Sequence, residues 1–137
     1  MRGLTILAAA LLVLGAASTG AAGGASPART ALTVTYWSDG DRPADKTVWT
    51  LSCDPAAGTL RRPAVACRQL AARGWDVFSP VRKGMFCTEI YGGAQAALVV
   101  GTVEGKRVWA RLQRGDGCQI ARWNRLSPWL LPPGGVT

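Results

Sequence analysis

Residues 96–114 read AALVVGTVEGKRVWARLQR, and this stretch decides the fold class. Its first part, residues 96–103, is apolar and rich in β-branched side chains, and a Glu-Gly pair follows that is typical of a two-residue hairpin turn. After the turn, Val108, Ala110 and Leu112 recur at every second position, which is the period of a half-buried strand. The stretch therefore predicts two antiparallel strands, residues 96–103 and 106–114.

Two earlier stretches show the same alternation of side chains. Residues 31–37 (ALTVTYW) and residues 47–53 (TVWTLSC) both predict half-buried strands. Residues 38–45 between them are polar and contain a glycine and a proline, which predicts a loop.

Residues 63–73 predict a helix. Pro63 suits the first helical turn, and Gly74 suits the stop that follows the last turn. The helical period puts three residues on one face: Cys67, Leu70 and Ala71. Together these elements predict an α+β fold, with an antiparallel sheet of about five strands and one or two helices packed on one face.

The N-terminal residues 1–25 predict a signal peptide. A basic Met1-Arg2 start precedes an apolar run at residues 4–17, which is shorter than the roughly 20 residues needed to span a bilayer. Small residues follow, and we expect cleavage between positions 17 and 28. The predicted protein is therefore secreted and extracellular, and is not a membrane protein after cleavage.

The remaining chain has the length of one domain, which we predict at residues 30–122. Residues 123–137 form a tail rich in Trp, Pro and Gly. Two interpretations of this tail stay open, an added contact surface and a disordered end.

The chain has four cysteines, Cys53, Cys67, Cys87 and Cys118, a number that fits disulfide staples in a small domain of an oxidising compartment. Four cysteines allow three pairings, of which the pairing of neighbours is the simplest. A zinc site is the rival interpretation. It is disfavoured because the chain has no CxxC pair and no His. We therefore predict two disulfides, no metal site and no cofactor.

The composition also argues against an enzyme. Without His, the chain lacks a Ser-His or Cys-His nucleophile system, and no pair of acids stands in a recognisable motif. We predict no catalytic residues. The net charge of +8 suits anionic partners. The basic residues are scattered, so we do not predict nucleic-acid binding. A basic, Trp-rich extracellular module that binds an anionic wall polymer is an alternative function.

Residues 85–93 read MFCTEIYGG and carry the functional hypothesis. If Cys87 is tied to the body of the protein, the segment from Thr88 to Tyr91 must protrude as a braced, extended segment. Such a segment offers its backbone to a protease in the way that a substrate does.

At this point several motifs, in order along the chain, resemble the Streptomyces subtilisin inhibitor-like family. The matching segments are LTV at residues 32–34, TLSCDP at 50–55, ACRQLA at 66–71, MFCTEIY at 85–91 and GKRV at 105–108, followed by Cys118. The resemblance implies an α+β fold with a five-stranded antiparallel sheet and the disulfides Cys53–Cys67 and Cys87–Cys118. It also implies a homodimer packed through the sheet, and inhibition of secreted subtilisin-like or trypsin-like serine proteases.

By position, the resemblance makes Glu89 the primary specificity residue and Glu89–Ile90 the reactive bond. The reactive loop then also includes Phe86, Cys87, Thr88 and Tyr91. Glu89 replaces the Met or Lys that is usual in the family, so three interpretations stay open: a subtilisin-like target, a glutamyl endopeptidase as target, or lost inhibitory activity.

Residues 92–93 depart from the family pattern in a second way. A Gly-Gly pair stands where the family usually has Asp-Pro. Because glycine adds conformational freedom to the free chain, we expect the loop to be softer after the reactive bond.

Overall fold

The computed structural model describes residues 27–40 and 42–136, so the predicted signal peptide at residues 1–25 lies outside the described residues. The described chain forms one antiparallel sheet with the strand order β2-β1-β3-β4. Its elements, in chain order, are β1 (Ala31–Trp37), β2 (Lys46–Ser52), α1 (Pro63–Arg73), β3 (Ala96–Val103), β4 (Lys106–Leu112) and α2 (Gly117–Leu126). Short 3-10 turns stand at Pro43–Asp45 and Trp75–Phe78.

The predicted α+β class is confirmed, with one difference in strand number. The sheet of the described residues has four strands instead of about five. Residues 79–95 add no strand, although they connect the second 3-10 turn to β3. Pro80 is one reason, because proline removes a backbone donor that a strand interior needs. The predicted bounds of β1, β3 and α1 agree with the structure.

Helix α1 begins and ends at the predicted signals. Pro63 occupies its first turn, and Gly74 follows its end with a φ of 68°, a left-handed value that glycine adopts without strain. The N–H of Gly74 donates to the Leu70 carbonyl at 2.8 Å. Leu70 and Ala66 are buried, whereas Ala71 is exposed. The predicted apolar face was therefore wrong by one position, and Ala66 belongs to it.

The core lies between one face of the sheet and the two helices. The pairs Val34–Val99 and Val99–Ala110 stand opposite each other in the register and are buried. Both helices cover this same face, because their buried residues join one cluster with the sheet: Leu32, Val34, Leu51, Val99, Val103, Val108 and Leu112 from the strands, and Ala66, Leu70, Trp123 and Leu126 from the helices. The other face of the sheet stays open, and Trp109 is 71% exposed there.

Helix α2 was not predicted from the sequence. Asp116 begins it as an N-cap, since its side chain accepts the N–H of Gln119 at 2.9 Å. The helix crosses the predicted domain boundary at residue 122, and Trp123 is completely buried. Leu130 and Leu131 are buried as well. The first half of the Trp-rich tail is thus part of the hydrophobic core.

Two disulfides join the helices to the rest of the domain. Cys53–Cys67 connects the end of β2 to α1 with a Cα–Cα distance of 5.7 Å, and Cys87–Cys118 connects residues 79–95 to α2 at 5.3 Å. Both pairings are those that the resemblance implied. Within the described part of the chain, no helix has the length and apolar character needed to cross a bilayer.

The packing of α2 gives a stability prediction. Trp123→Ala removes a completely buried indole, and we expect it to lower the free energy of unfolding by about 3–5 kcal/mol. Urea denaturation followed by circular dichroism measures this loss. Phe86→Ala is the control, because Phe86 is 102% exposed and its removal should cost less than about 0.5 kcal/mol. Equal effects of the two variants would contradict the described burial.

Candidate functional site

Residues 79–95 form the longest segment without a helix or strand in the described chain, and its middle part protrudes. Phe86 is 102% exposed. The predicted loop residues Thr88, Glu89, Ile90 and Tyr91 are also exposed, and only Cys87 is half-buried. The structure therefore brings all the predicted loop residues into one projecting segment, with the cysteine turned toward the domain.

The segment is held before Glu89 by what we call the leading anchor, formed by Cys87 and Thr88 with the start of α2. The Cys87–Cys118 disulfide is its covalent part. The Thr88 carbonyl accepts the N–H of Gly117 at 2.9 Å. Gly117 is the first residue of α2, and such N–H groups have no partner inside the helix. A Cβ at Gly117 would collide with the Thr88 hydroxyl, so a larger residue there would require the Thr88 side chain to rotate.

The segment is held again after Tyr91, by what we call the trailing anchor, formed by Gly92 and Arg114. Gly92 donates its N–H to the Arg114 carbonyl at 2.8 Å. Arg114 Nε in turn donates to the Gly92 carbonyl at 2.8 Å. A Cβ at Gly92 would lie 2.6 Å from Ile120 Cγ1 on α2, so a larger residue would require the Ile120 side chain to move.

Gly93 completes this arrangement. Its φ is +119°, and a Cβ there would collide with the Gly135 carbonyl. Both glycines are buried. The structure therefore differs from the expected softness after Tyr91, because residues 92–93 are packed and Gly92 is hydrogen-bonded on both sides. Glycine is needed here for close approach, and the neighbours that require it come from distant parts of the sequence.

Between the two anchors lie Glu89, Ile90 and Tyr91. No hydrogen bond joins these three residues to the rest of the described chain. Their backbone N–H and C=O groups face solvent and are free to pair with a partner, as the edge of an added strand does. The geometry is therefore that of a short, accessible backbone segment suspended between two fixed points.

Two buried arginines hold the segment, and neither was predicted from the sequence. Arg122 on α2 is buried and donates to the Ser79 carbonyl at 3.1 Å and to the Arg111 carbonyl at 3.2 Å. Burial lowers the pKa of the Arg122 guanidinium, and the positive charge of Arg125 lowers it further. Arg122 thus fixes the start of the segment at residue 79, as Arg114 fixes its end.

A signal for Arg114 was present in the sequence. Val108, Ala110 and Leu112 occupy every second position and face the core. Arg114 continues this alternation by one more step, and it is buried like the others. An arginine in phase with a buried strand face indicates a charged group that is taken inside for its hydrogen bonds.

One group of potential metal ligands lies beside the loop, namely Cys87, Cys118 and Asp116. The two sulfur atoms are joined in a disulfide, and the Asp116 carboxylate caps α2. These three residues are therefore already used for the leading anchor and the helix start.

The structure is thus a small disulfide-linked domain that holds an exposed loop at both ends. The model of the subtilisin inhibitor-like family matches residues 26–113, which is more than half of the chain. The chain therefore belongs to the subtilisin inhibitor-like family. This family consists of protease inhibitors and not of enzymes.

A search of solved structures gives a neighbour in Streptomyces caespitosus sermetstatin, determined in complex with Bacillus licheniformis subtilisin. It shares 22% sequence identity with the chain, covers 72% of this chain and 97% of its own, and has a TM-score of 0.47. No curated protein sequence matches the chain.

Proposed function

We propose that the protein is a secreted inhibitor of serine endopeptidases that acts through the loop at residues 86–91. Family membership supports the class of target, and the two anchors support the mode of action. The loop enters the protease cleft as a substrate does, and its free backbone groups pair with those of the cleft. Residues 1–25 direct the chain out of the cell in this proposal.

One observation carries the mechanism: the Glu89–Ile90 bond lies between the leading and trailing anchors. The Glu89 carbonyl follows directly after the anchored Thr88, and the Ile90 amine is two residues before the anchored Gly92. After attack by the protease serine, both new ends remain attached to the domain. The amine therefore stays beside the acyl-enzyme at a high effective concentration, and religation competes with hydrolysis.

The identity of the specificity residue restricts the class of protease that can be the target. Glu89 is exposed, and it is the side chain that enters the specificity pocket in this proposal. Burying an ionised carboxylate in an apolar pocket without a partner costs roughly several kcal/mol of free energy. A trypsin-like pocket carries an aspartate and repels it. We therefore propose a subtilisin-like protease that tolerates Glu or a glutamyl endopeptidase as the target.

The first experiment measures inhibition of subtilisin, trypsin and a glutamyl endopeptidase, with mass spectrometry of the inhibitor after incubation. We expect the protein to inhibit subtilisin, the glutamyl endopeptidase or both, and to have little effect on trypsin. We expect mass spectrometry to show a single cut at Glu89–Ile90. Failure to inhibit any of the three at micromolar protein would reject the proposal and leave the polymer-binding module or a member with lost activity. A cut at another bond would reject the assignment of Glu89.

Exchange of the specificity residue gives a second test. Glu89→Met should shift inhibition toward subtilisin and Glu89→Lys toward trypsin, because the substitution changes the contact in the pocket and leaves the anchors intact. Inhibition constants against the three proteases measure the shift. Glu104→Lys is the matched control, since Glu104 is an exposed glutamate in the β3–β4 turn. If Glu89→Lys and Glu104→Lys behave alike, Glu89 does not enter the pocket.

We also propose that the protein forms a homodimer through the open face of the sheet. Val100 on β3 and Trp109 on β4 stand opposite each other in the register, and they are 39% and 71% exposed. Val48 on β2 is 47% exposed. Exposed apolar side chains on a face without covering helices support an interface between copies.

Sedimentation velocity tests the dimer. We expect the wild-type protein to sediment as a dimer and Trp109→Glu to sediment as a monomer, because the substitution puts a charge into the apolar interface. Phe86→Glu is the control on another exposed aromatic side chain, and it should stay dimeric. A monomeric wild-type protein at tens of micromolar, or a dimeric Trp109→Glu variant, would overturn the interface.

A further inference from the structure

Arg114 is a buried charge at the base of the loop. It is 7% exposed, and its side chain makes three interactions. Nε donates to the Gly92 carbonyl at 2.8 Å, Nη1 donates to Asn124 Oδ1 at 3.3 Å, and the guanidinium carbon lies 5.8 Å from the centre of the Trp123 ring. That distance is within the range of a cation–π contact.

Among the described residues, no carboxylate forms a salt bridge with the Arg114 guanidinium. Burial of an unpaired guanidinium works against stability, and an aliphatic side chain in phase with Val108, Ala110 and Leu112 would avoid that cost. A costly residue at a position that reaches the loop indicates a role in the function of the loop.

The C-terminal segment 132–135 closes over this arginine. Trp123 Nε1 donates to the Pro132 carbonyl at 2.9 Å, and Gln95 Nε2 donates to the Gly135 carbonyl at 2.9 Å. Gly134 lies directly against the Arg114 side chain, with no space for a Cβ between them. The segment thus keeps Arg114 in the rotamer that reaches Gly92.

We propose that Arg114 is a positioning residue that decides whether the cut loop is religated or released. This inference rests on the proposed inhibitory function. In religation, the Ile90 nitrogen bonds to the Glu89 carbonyl carbon, the ester bond from that carbon to the protease serine oxygen breaks, and a proton of the amine passes to that oxygen. Arg114 contributes by holding Gly92 on both sides, which keeps the Ile90 amine within reach.

The test compares Arg114→Met, which keeps the length and removes the donors, with Arg114→Lys, which keeps the charge. Arg68→Met is the matched control, because Arg68 is an exposed arginine on α1. Two quantities are measured: the rate at which the Glu89–Ile90 cut form accumulates with protease, and the exchange rate of the Gly92 amide in the free protein. The Gly117 amide reports on the leading anchor as an internal reference.

We expect Arg114→Met to raise the rate of cut-form accumulation and the exchange rate of the Gly92 amide about tenfold, which is the factor for the loss of one charge-assisted hydrogen bond. The exchange rate of the Gly117 amide should stay unchanged. Arg114→Lys should restore part of the wild-type behaviour. A purely structural role would speed exchange of both amides and would not change the cut-to-intact ratio of the folded protein. If the wild-type protein inhibits and Arg114→Met is cut no faster than Arg68→Met, the inference is overturned.

Two further outcomes also test the inference: a variant that does not fold, and a wild-type protein that does not inhibit. If Arg114→Met does not fold, Gly134→Ala replaces it, because the added Cβ displaces the guanidinium without deleting it. The same tenfold increases are then expected, and wild-type rates overturn the inference. If the wild-type protein inhibits no protease, the proposed function fails. In that case faster Gly92 exchange in Arg114→Met still shows that Arg114 holds the segment, and unchanged exchange rejects the anchor itself.

Discussion

The burial of Trp123 is the contact on which the loop depends. Its indole is completely buried under the sheet and lies 6.2 Å from the Tyr36 ring, so it fixes α2 against the core. Helix α2 supplies Gly117 to the leading anchor and Ile120 to the contact with Gly92. The face of Trp123 also supports the guanidinium of Arg114. Both anchors of the loop are therefore connected to the core through helix α2 and the Trp123 side chain.

The parts of the fold that could be predicted are those marked by neighbours in the chain. Pro63 and Gly74 bound α1, and Gly105 takes a φ of 80° in the β3–β4 turn, so the requirement and the residue that meets it are local. Helix α2 was missed for a physical reason. Asp116 stands between two glycines, which also suits a turn, and Arg122 on the buried side conceals the apolar period.

The features of the candidate site also separate into those that could be predicted from the sequence and those that could not. The exposed loop and its disulfide partner could be predicted, because Cys87 and the resemblance mark them in one continuous segment. The function of Gly92 and Gly93 could not, since it depends on Ile120 and Gly135, which approach only after folding. A glycine pair has two opposite meanings, freedom in an open chain and close packing in a folded one, and the contacts decide between them.

The residues that hold the loop in place are separate from the exposed side chain at position 89. Glu89 makes no hydrogen bond to the rest of the described chain, so its side chain contributes little to the stability of the fold. The anchors consist of the Cys87–Cys118 disulfide, two backbone hydrogen bonds and one bond from the Arg114 side chain, so their formation does not depend on which side chain stands at position 89. A substitution at position 89 therefore leaves the bonds of both anchors in place. An unusual residue such as Glu89 is consistent with intact anchors, because neither anchor uses its side chain.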